Sequence, residues 1–219
     1  MILVLLGPPG AGKGTQGVRI VERCGVPKIS TGEIFRDLAA AGTPLGLEAR
    51  NYWSRGMLVP DDVVVGLVKE RISCDDCLKG FILDGFPRTV TQADILNDLL
   101  AQMGRKIDGV LDFEVDAEQL VLRLSGRRTC PHCSATYHVT SKPPQVDGHC
   151  DHCGCPLVQR PDDNPDSIRI RLEEYAAKTA PLLAYYAERG LLHRIDSNGS
   201  PDEIFRSLEP ELVAMGCGY

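Results

Sequence analysis

No apolar run in this sequence approaches the roughly 20 residues that a membrane-spanning helix needs, and the opening run ends at Leu6. That run has no basic lead and no small-residue cleavage site, so it does not read as an export signal. Positive charge is also short: 24 Lys and Arg stand against 30 Asp and Glu, a net charge of -6. This balance argues against a general nucleic-acid or anionic-membrane binder, although a local basic pocket is compatible with it. Internal repeats and low-complexity tracts are absent. What remains is an ordinary globular composition, 43% apolar and 25% charged, in a chain of 219 residues that can bury a real core. The expected location is the cytoplasm. Nine cysteines in that reducing setting predict metal ligands or free thiols rather than disulfides.

The most informative stretch is Gly7-Pro8-Pro9-Gly10-Ala11-Gly12-Lys13-Gly14-Thr15, which follows the apolar run Ile2 to Leu6. It fits G-x-x-x-x-G-K, a loop whose backbone N–H groups wrap a phosphate chain while the lysine reaches its outer oxygens. Thr15, Val18 and Val21 recur at helical spacing behind it, and a helix N-terminus favours bound anions. Gly14 stands where Ser or Thr normally follows the lysine, and the hydroxyl comes one residue later. The sequence therefore predicts a nucleoside triphosphate site.

Further along, Val26 to Ser30 reads as a second strand, with Ser30 or Thr31 capping the helix that carries Ile34, Phe35 and Leu38. Pro44 opens another helix, and Asp61 and Asp62 open one with Val64, Leu67, Val68 and Ile72 on one face. Phe81-Ile82-Leu83 reads as a buried parallel strand ending in Asp84. A carboxylate there lies in the crevice where open α/β sheets bind ligands, and it suits the Mg²⁺ of a bound nucleotide. Thr89 to Gln92 has the pattern of a capping box. Strands follow at Gly109 to Val115 and Leu191 to Ile195, and a long helix shows an apolar stripe at Ile168, Leu172, Tyr175, Thr179, Leu182 and Tyr186. Ser200-Pro201-Asp202-Glu203 caps the last helix. Alternating strands and helices predict an α/β fold with a parallel five-stranded sheet covered by helices on both faces.

From Gly126 to Asp163 the periodicity stops, and Cys, His, Pro and Gly crowd in. Cys130, Cys133, Cys150 and Cys153 form C-x2-C-x16-C-x2-C, and four of the five histidines fall in this stretch. Two such pairs can clamp one tetrahedral ion, with Zn²⁺ preferred and iron also compatible with an all-sulfur set. Below about 40 residues a chain rarely holds its shape without such help. Cys155 could replace Cys153, and His132, His138, His149 and His152 are further substitutes. The ion would be structural, because four protein ligands leave no open position. Cys74 and Cys77 form a lone pair read as ordinary thiols, and Cys24 and Cys217 carry no pattern.

Taken together, the phosphate loop, Ser30-Thr31-Gly32, Asp84-Gly85-Phe86-Pro87-Arg88-Thr89, Gly126-Arg127-Arg128 and Arg160-Pro161-Asp162-Asp163 with Arg171 resemble adenylate kinases of the long bacterial type with a zinc-binding lid. The resemblance runs from Met1 to about Phe205. It also accounts for Gly14, since that family has Gly-Lys-Gly-Thr. It implies the reversible reaction of ATP and AMP to two ADP with Mg²⁺, adenine nucleotide homeostasis, and a monomer without nucleic-acid or membrane partners. By resemblance, residues 1–29, 60–125 and 164–219 form the core, 30–59 the AMP-binding region and 126–163 a lid hinged near Gly126 and Asp163.

The same resemblance assigns Gly10, Ala11, Gly12, Lys13, Gly14 and Thr15 to the ATP phosphates. Thr136, Tyr137 and Gly199 would lie over the ATP base, the last in a loop that looks one residue longer than usual. Thr31, Arg36, Met57, Leu58, Val59, Gly85, Phe86, Pro87, Arg88 and Gln92 would form the AMP site, with Arg160 and Arg171 reaching into it. Lys13, Arg88, Arg123, Arg127, Arg160 and Arg171 would surround the transferring group, and Asp84 would hold Mg²⁺. An arginine cluster is what phosphoryl transfer requires on physical grounds, because positioning and charge neutralisation dominate it. Two rivals stay open on the residues alone: a kinase for another nucleoside monophosphate or donor, and a zinc-ribbon nucleic-acid module joined to an ATPase.

Overall fold

The computed structural model describes residues 1–217. Five parallel strands, β1 (Ile2–Leu6), β2 (Lys28–Ser30), β3 (Phe81–Asp84), β4 (Gly109–Glu114) and the last strand, Leu192–Asp196, stand in the order β2-β3-β1-β4-last. Every residue of β1 is buried. Alternation sends Ile2, Val4 and Leu6 to one face and Leu3 and Leu5 to the other, so the sheet needs cover on both sides. Helices α4 (Asp61–Ile72) and α5 (Val90–Gln102) cover the first face through Val64, Val68, Leu96 and Leu100. Helix α1 (Lys13–Cys24) and the C-terminal helix Pro201–Ala214 cover the second through Ile20, Ile204, Leu208 and Leu212. Each such fully buried Leu or Ile is worth about 1.5–3 kcal/mol.

Local signals set the helix starts. Ser30 accepts the Glu33 amide at α2 (Thr31–Ala40), Thr43 the Gly46 amide at α3 (Pro44–Trp53), and Ser200 and Glu203 form a reciprocal capping box. Thr89 accepts the Gln92 amide, but the other half of the expected box is missing: the Gln92 carboxamide accepts from Arg88 instead. Helix α1 shows a second difference. Val18 is 48% exposed, and the buried face runs through Gln16, Gly17 and Ile20, with Lys28 and Leu5 3.0 and 3.3 Å from where a Gly17 Cβ would stand. The long apolar stripe is also interrupted. Helix α7 (Pro165–Glu174) passes through a π-helical turn, Tyr175–Thr179, into α8 (Pro181–Ala187). Pro181 has no N–H to continue the ladder, and the Ala180 amide reaches back to the Tyr175 carbonyl.

One cysteine expectation is corrected. Cys24 and Cys217 form a disulfide, with Cα atoms 5.3 Å apart across a sequence separation of 193. Reasoning from compartment says nothing about proximity. Here α1 and the C-terminal helix lie side by side on one face of the sheet and bring Cys24, the last residue of α1, to Cys217, just beyond the other helix. The other seven cysteines are free, Cys74 exposed and Cys77 buried among them.

The cysteine-rich insert leaves the core after α6 (Ala117–Ser125) and returns through the turn Pro161–Asp163 into α7. Its own sheet is the antiparallel pair β5 (Arg127–Thr129) and β6 (Thr136–His138), and its small core is Cys130, Tyr137 and Cys150.

Candidate active site and metal centre

The phosphate loop lies at the carboxyl end of β1. A side chain at Gly7 is excluded twice, by φ +133 and by the Phe113 carbonyl, 2.7 Å from where a Cβ would stand. Gly12 is the residue before α1 and offers no capping side chain, so the first N–H groups of that helix are free for an anion. Lys13 folds back over the loop, its Nζ donating to the carbonyls of Gly7 and Pro8 at 2.6 and 2.8 Å. Burial lowers its pKa to about 8, opposed by the nearby Asp84 carboxylate and reinforced by Arg88, Arg171 and Arg127. Asp84 ends β3, and its Oδ2 would lie 3.7 Å from a Cβ on Gly14. The loop, the lysine and the carboxylate thus meet at the carboxyl end of the sheet's central strands.

Gly85 to Arg88 turns the chain beside them. Gly85 has φ +84, and a Cβ there would meet Arg88 Nη2 at 3.0 Å and Thr31 Oγ1 at 3.1 Å. Its carbonyl accepts from Arg88 Nε (2.8 Å) and Thr31 Oγ1 (3.0 Å). Burial pulls the Arg88 guanidinium below its usual range, with Arg171 adding to the effect and Asp84 opposing it. A cleft beside this turn is lined by Thr31, Arg36, Met57, Leu58, Val59, Gly85, Arg88, Gln92 and Arg171, together with Asp162. Phe86 and Pro87 are buried behind it rather than lining it.

The remaining arginines approach from the insert and its flanks. Arg127 Nε donates to Asp163 Oδ2 at 2.7 Å, and Arg171 Nη1 meets Asp162 at 2.9 Å and Asp163 at 3.0 Å. Asp163 is fully buried. Arg160 bonds Thr129 at 3.0 Å, and its pKa is pulled down to about 9 by burial and then by Arg127 and Arg36. Arg123 donates to the Ser197 carbonyl at 2.7 Å, tying α6 to the loop that carries Gly199. So many guanidinium groups sharing a desolvated space favour a multiply charged anion.

Two contributors carried no functional signal in the sequence. Asp61 accepts from Gln92 Nε2 at 2.6 Å, and Thr179, in the π-helical turn, donates to the Arg88 carbonyl at 2.9 Å. The sequence leaves Asp162 and Asp163 between pairing with the arginines and merely keeping the hinge soluble; both are buried and paired with arginine. Thr136 and Tyr137 stand on β6, but the Tyr137 ring is buried in the insert, its hydroxyl accepting the Asp151 amide at 2.8 Å.

In the insert the four predicted cysteines cluster. Cys130 and Cys153 sulfurs lie 3.4 Å apart, Cys133 and Cys150 3.5 Å, and Cys133 and Cys153 3.7 Å. A tetrahedral ion with Zn–S bonds of about 2.3 Å requires sulfurs about 3.8 Å apart, so the set fits Zn²⁺ closely.

The sequence matches the family model described as adenylate kinase over residues 5–191. It is 52% identical over 212 residues to an adenylate kinase of Carboxydothermus hydrogenoformans, covering 97% of this chain and 99% of that one. It is 54% identical over 208 residues to an adenylate kinase of Thermodesulfovibrio yellowstonii, covering 95% and 97%. Likeness of that extent, joined to a phosphate loop facing an arginine-lined cleft, establishes that the chain belongs to the adenylate kinase family.

Proposed function

We propose that this chain transfers the terminal phosphoryl group of ATP reversibly to AMP, yielding two ADP and serving adenine nucleotide balance as a cytoplasmic monomer. The observation that carries the reading is the convergence of Lys13, Asp84, Arg88 and Arg171 between the phosphate loop and the lined cleft. Gly10 to Thr15 cradle the ATP phosphates. The cleft holds AMP, its phosphate toward Arg36 and Arg88 and its base toward Gln92 and the Met57–Val59 backbone.

Arg123, Arg127, Arg160 and Arg171 spread the charge that develops on the transferring group, an arrangement that stabilises the transition state more than the ground state. Asp84 would hold Mg²⁺, which when bound would supply charge neutralisation on the phosphate oxygens. The insert 126–163 is a lid stiffened by structural Zn²⁺ on Cys130, Cys133, Cys150 and Cys153. By shutting over nucleotide it excludes water, which would otherwise accept the phosphoryl group. Residues 30–59 are the AMP-binding region, and 1–29, 60–125 and 164–219 the core.

A coupled assay tests this. ADP should form from ATP only when AMP is present, and Lys13→Met should lower kcat roughly 10²–10³-fold with the circular dichroism spectrum unchanged. ATP turnover that ignores AMP, or a Lys13→Met variant as fast as the parent, would overturn the reading.

A further inference from the structure

The two cysteine turns of the insert are near copies of each other. In the first, Ser134 N donates to the Cys130 carbonyl at 3.0 Å and Cys130 N to the Ala135 carbonyl at 2.9 Å. In the second, Gly154 N donates to the Cys150 carbonyl at 2.8 Å and Cys150 N to the Cys155 carbonyl at 2.9 Å. Ser134 and Gly154 both have the positive φ that doubles the chain back, 59 and 71. Cys155 therefore occupies the place that Ala135 holds in the first turn. A thiol is not needed there to build the fold, since alanine serves at the matching position.

That surplus thiol has company. The ring nitrogen of His132 and the sulfurs of Cys153 and Cys155 all lie within 4.8 Å of one another, on the exposed side of the cluster. We propose that His132, Cys155 and a shared Cys153 form a second, solvent-facing position for a thiophilic divalent cation, joined through the Cys153 sulfur to the four-cysteine site. This rests on the reading of that site as a zinc centre.

Three arguments support it. One imidazole and two thiolates are a ligand set that zinc and its soft neighbours favour. The donors, already within 4.8 Å of one another, need only a small shift of the exposed His132 and half-buried Cys155 to reach the spacing of about 3.8 Å that a tetrahedral ion needs. Charge favours it as well: Zn²⁺ with four thiolates carries two net negative charges, and a second divalent cation, even with the Cys155 thiolate added, reduces them to one. The first turn cannot build the mirror-image site, because Ala135 offers no ligand atom where the second turn offers Cys155.

Native mass spectrometry of the zinc-loaded protein, kept reduced and titrated with excess Zn²⁺, tests the assignment. The parent should carry two zinc ions, the second more weakly. Cys155→Ser and His132→Ala should each keep the first ion and lose at least tenfold in affinity for the second, with the melting of the insert unchanged. One ion on the parent at excess Zn²⁺ overturns this proposal while sparing the four-cysteine site; none overturns both. Two ions on both variants would place the second ion elsewhere on the surface. A variant that loses both ions would show Cys155 or His132 serving the first site, which also overturns it.

Discussion

Gln92 Nε2 lies 2.6 Å from Asp61 Oδ1, while Gln92 Oε1 accepts the Arg88 amide at 2.7 Å. A carboxylate only accepts and an N–H only donates, so the carboxamide has a single orientation. One N–H and one lone pair are left for the cleft. The Watson–Crick edge of adenine offers an amino donor beside a ring acceptor, whereas guanine offers the reverse pair. Asp61→Asn, which can donate as well as accept, removes one of the two fixed partners and leaves the Arg88 amide alone to hold the orientation. The KM for AMP should rise roughly tenfold, about 1.4 kcal/mol, and discrimination against GMP should fall while the KM for ATP holds. Steady-state kinetics with both acceptors check this, and unchanged discrimination would show that Asp61 does not orient the amide.

Asp163 is a buried carboxylate held by Arg127 and Arg171. Asp163→Asn leaves two guanidinium groups without their counter-charge at the junction of insert and core. Removing one partner of a buried pair costs about 3–5 kcal/mol, and the partial exposure of both arginines places this case near the lower bound. Urea unfolding measures the loss; a variant as stable as the parent would show that the pairing adds nothing.

Chelation of the four-cysteine ion should unfold residues 126–163 before the core. Hydrogen exchange should rise first in β5 and β6 while β1 and β4 stay protected, since the core's apolar burial does not depend on the insert. Activity lost in step with metal, with the insert still protected, would instead indicate a metal that takes part in the reaction.

Asp112, 2% exposed on β4, has its carboxyl pushed up to about 6 by burial and then by Glu114, against the pull of Arg194 and Lys13. The folded value lies above the unfolded one of about 3.9, so the folded chain binds more protons between them. Its contribution is therefore fully present below pH of about 4 and is lost as pH rises through about 6. Relative to Asp112→Asn, the parent should lose on the order of 1 kcal/mol between about pH 5 and 7.5. Urea midpoints of both proteins across that range check the sign, and parallel curves would refute it.

The sheet was legible because β1, β3 and β4 are short apolar runs bounded by glycine, proline or aspartate, a pattern that depends on local chemistry alone. The cysteine cluster was legible for the same reason, since ligand spacing is a local constraint. What stayed hidden depended on distance. Cys24 and Cys217 meet only because two helices share a face, and Asp61 finds Gln92 from a different helix. Val18 misled because helical spacing fixes a stripe but not which stripe turns inward. The π-helical turn followed from Pro181, visible in the sequence, but its use in holding the Arg88 carbonyl required the packing of α8.

The carboxylates of Asp162 and Asp163 already sit among the guanidinium groups, so the basic hollow comes with its own internal anions. An incoming ion competes with these carboxylates for Arg127 and Arg171. Chloride or bicarbonate brings a single charge to that competition, whereas a polyphosphate brings several charges and many oxygens. The internal carboxylates thus tilt the hollow toward multiply charged anions without any steric gate.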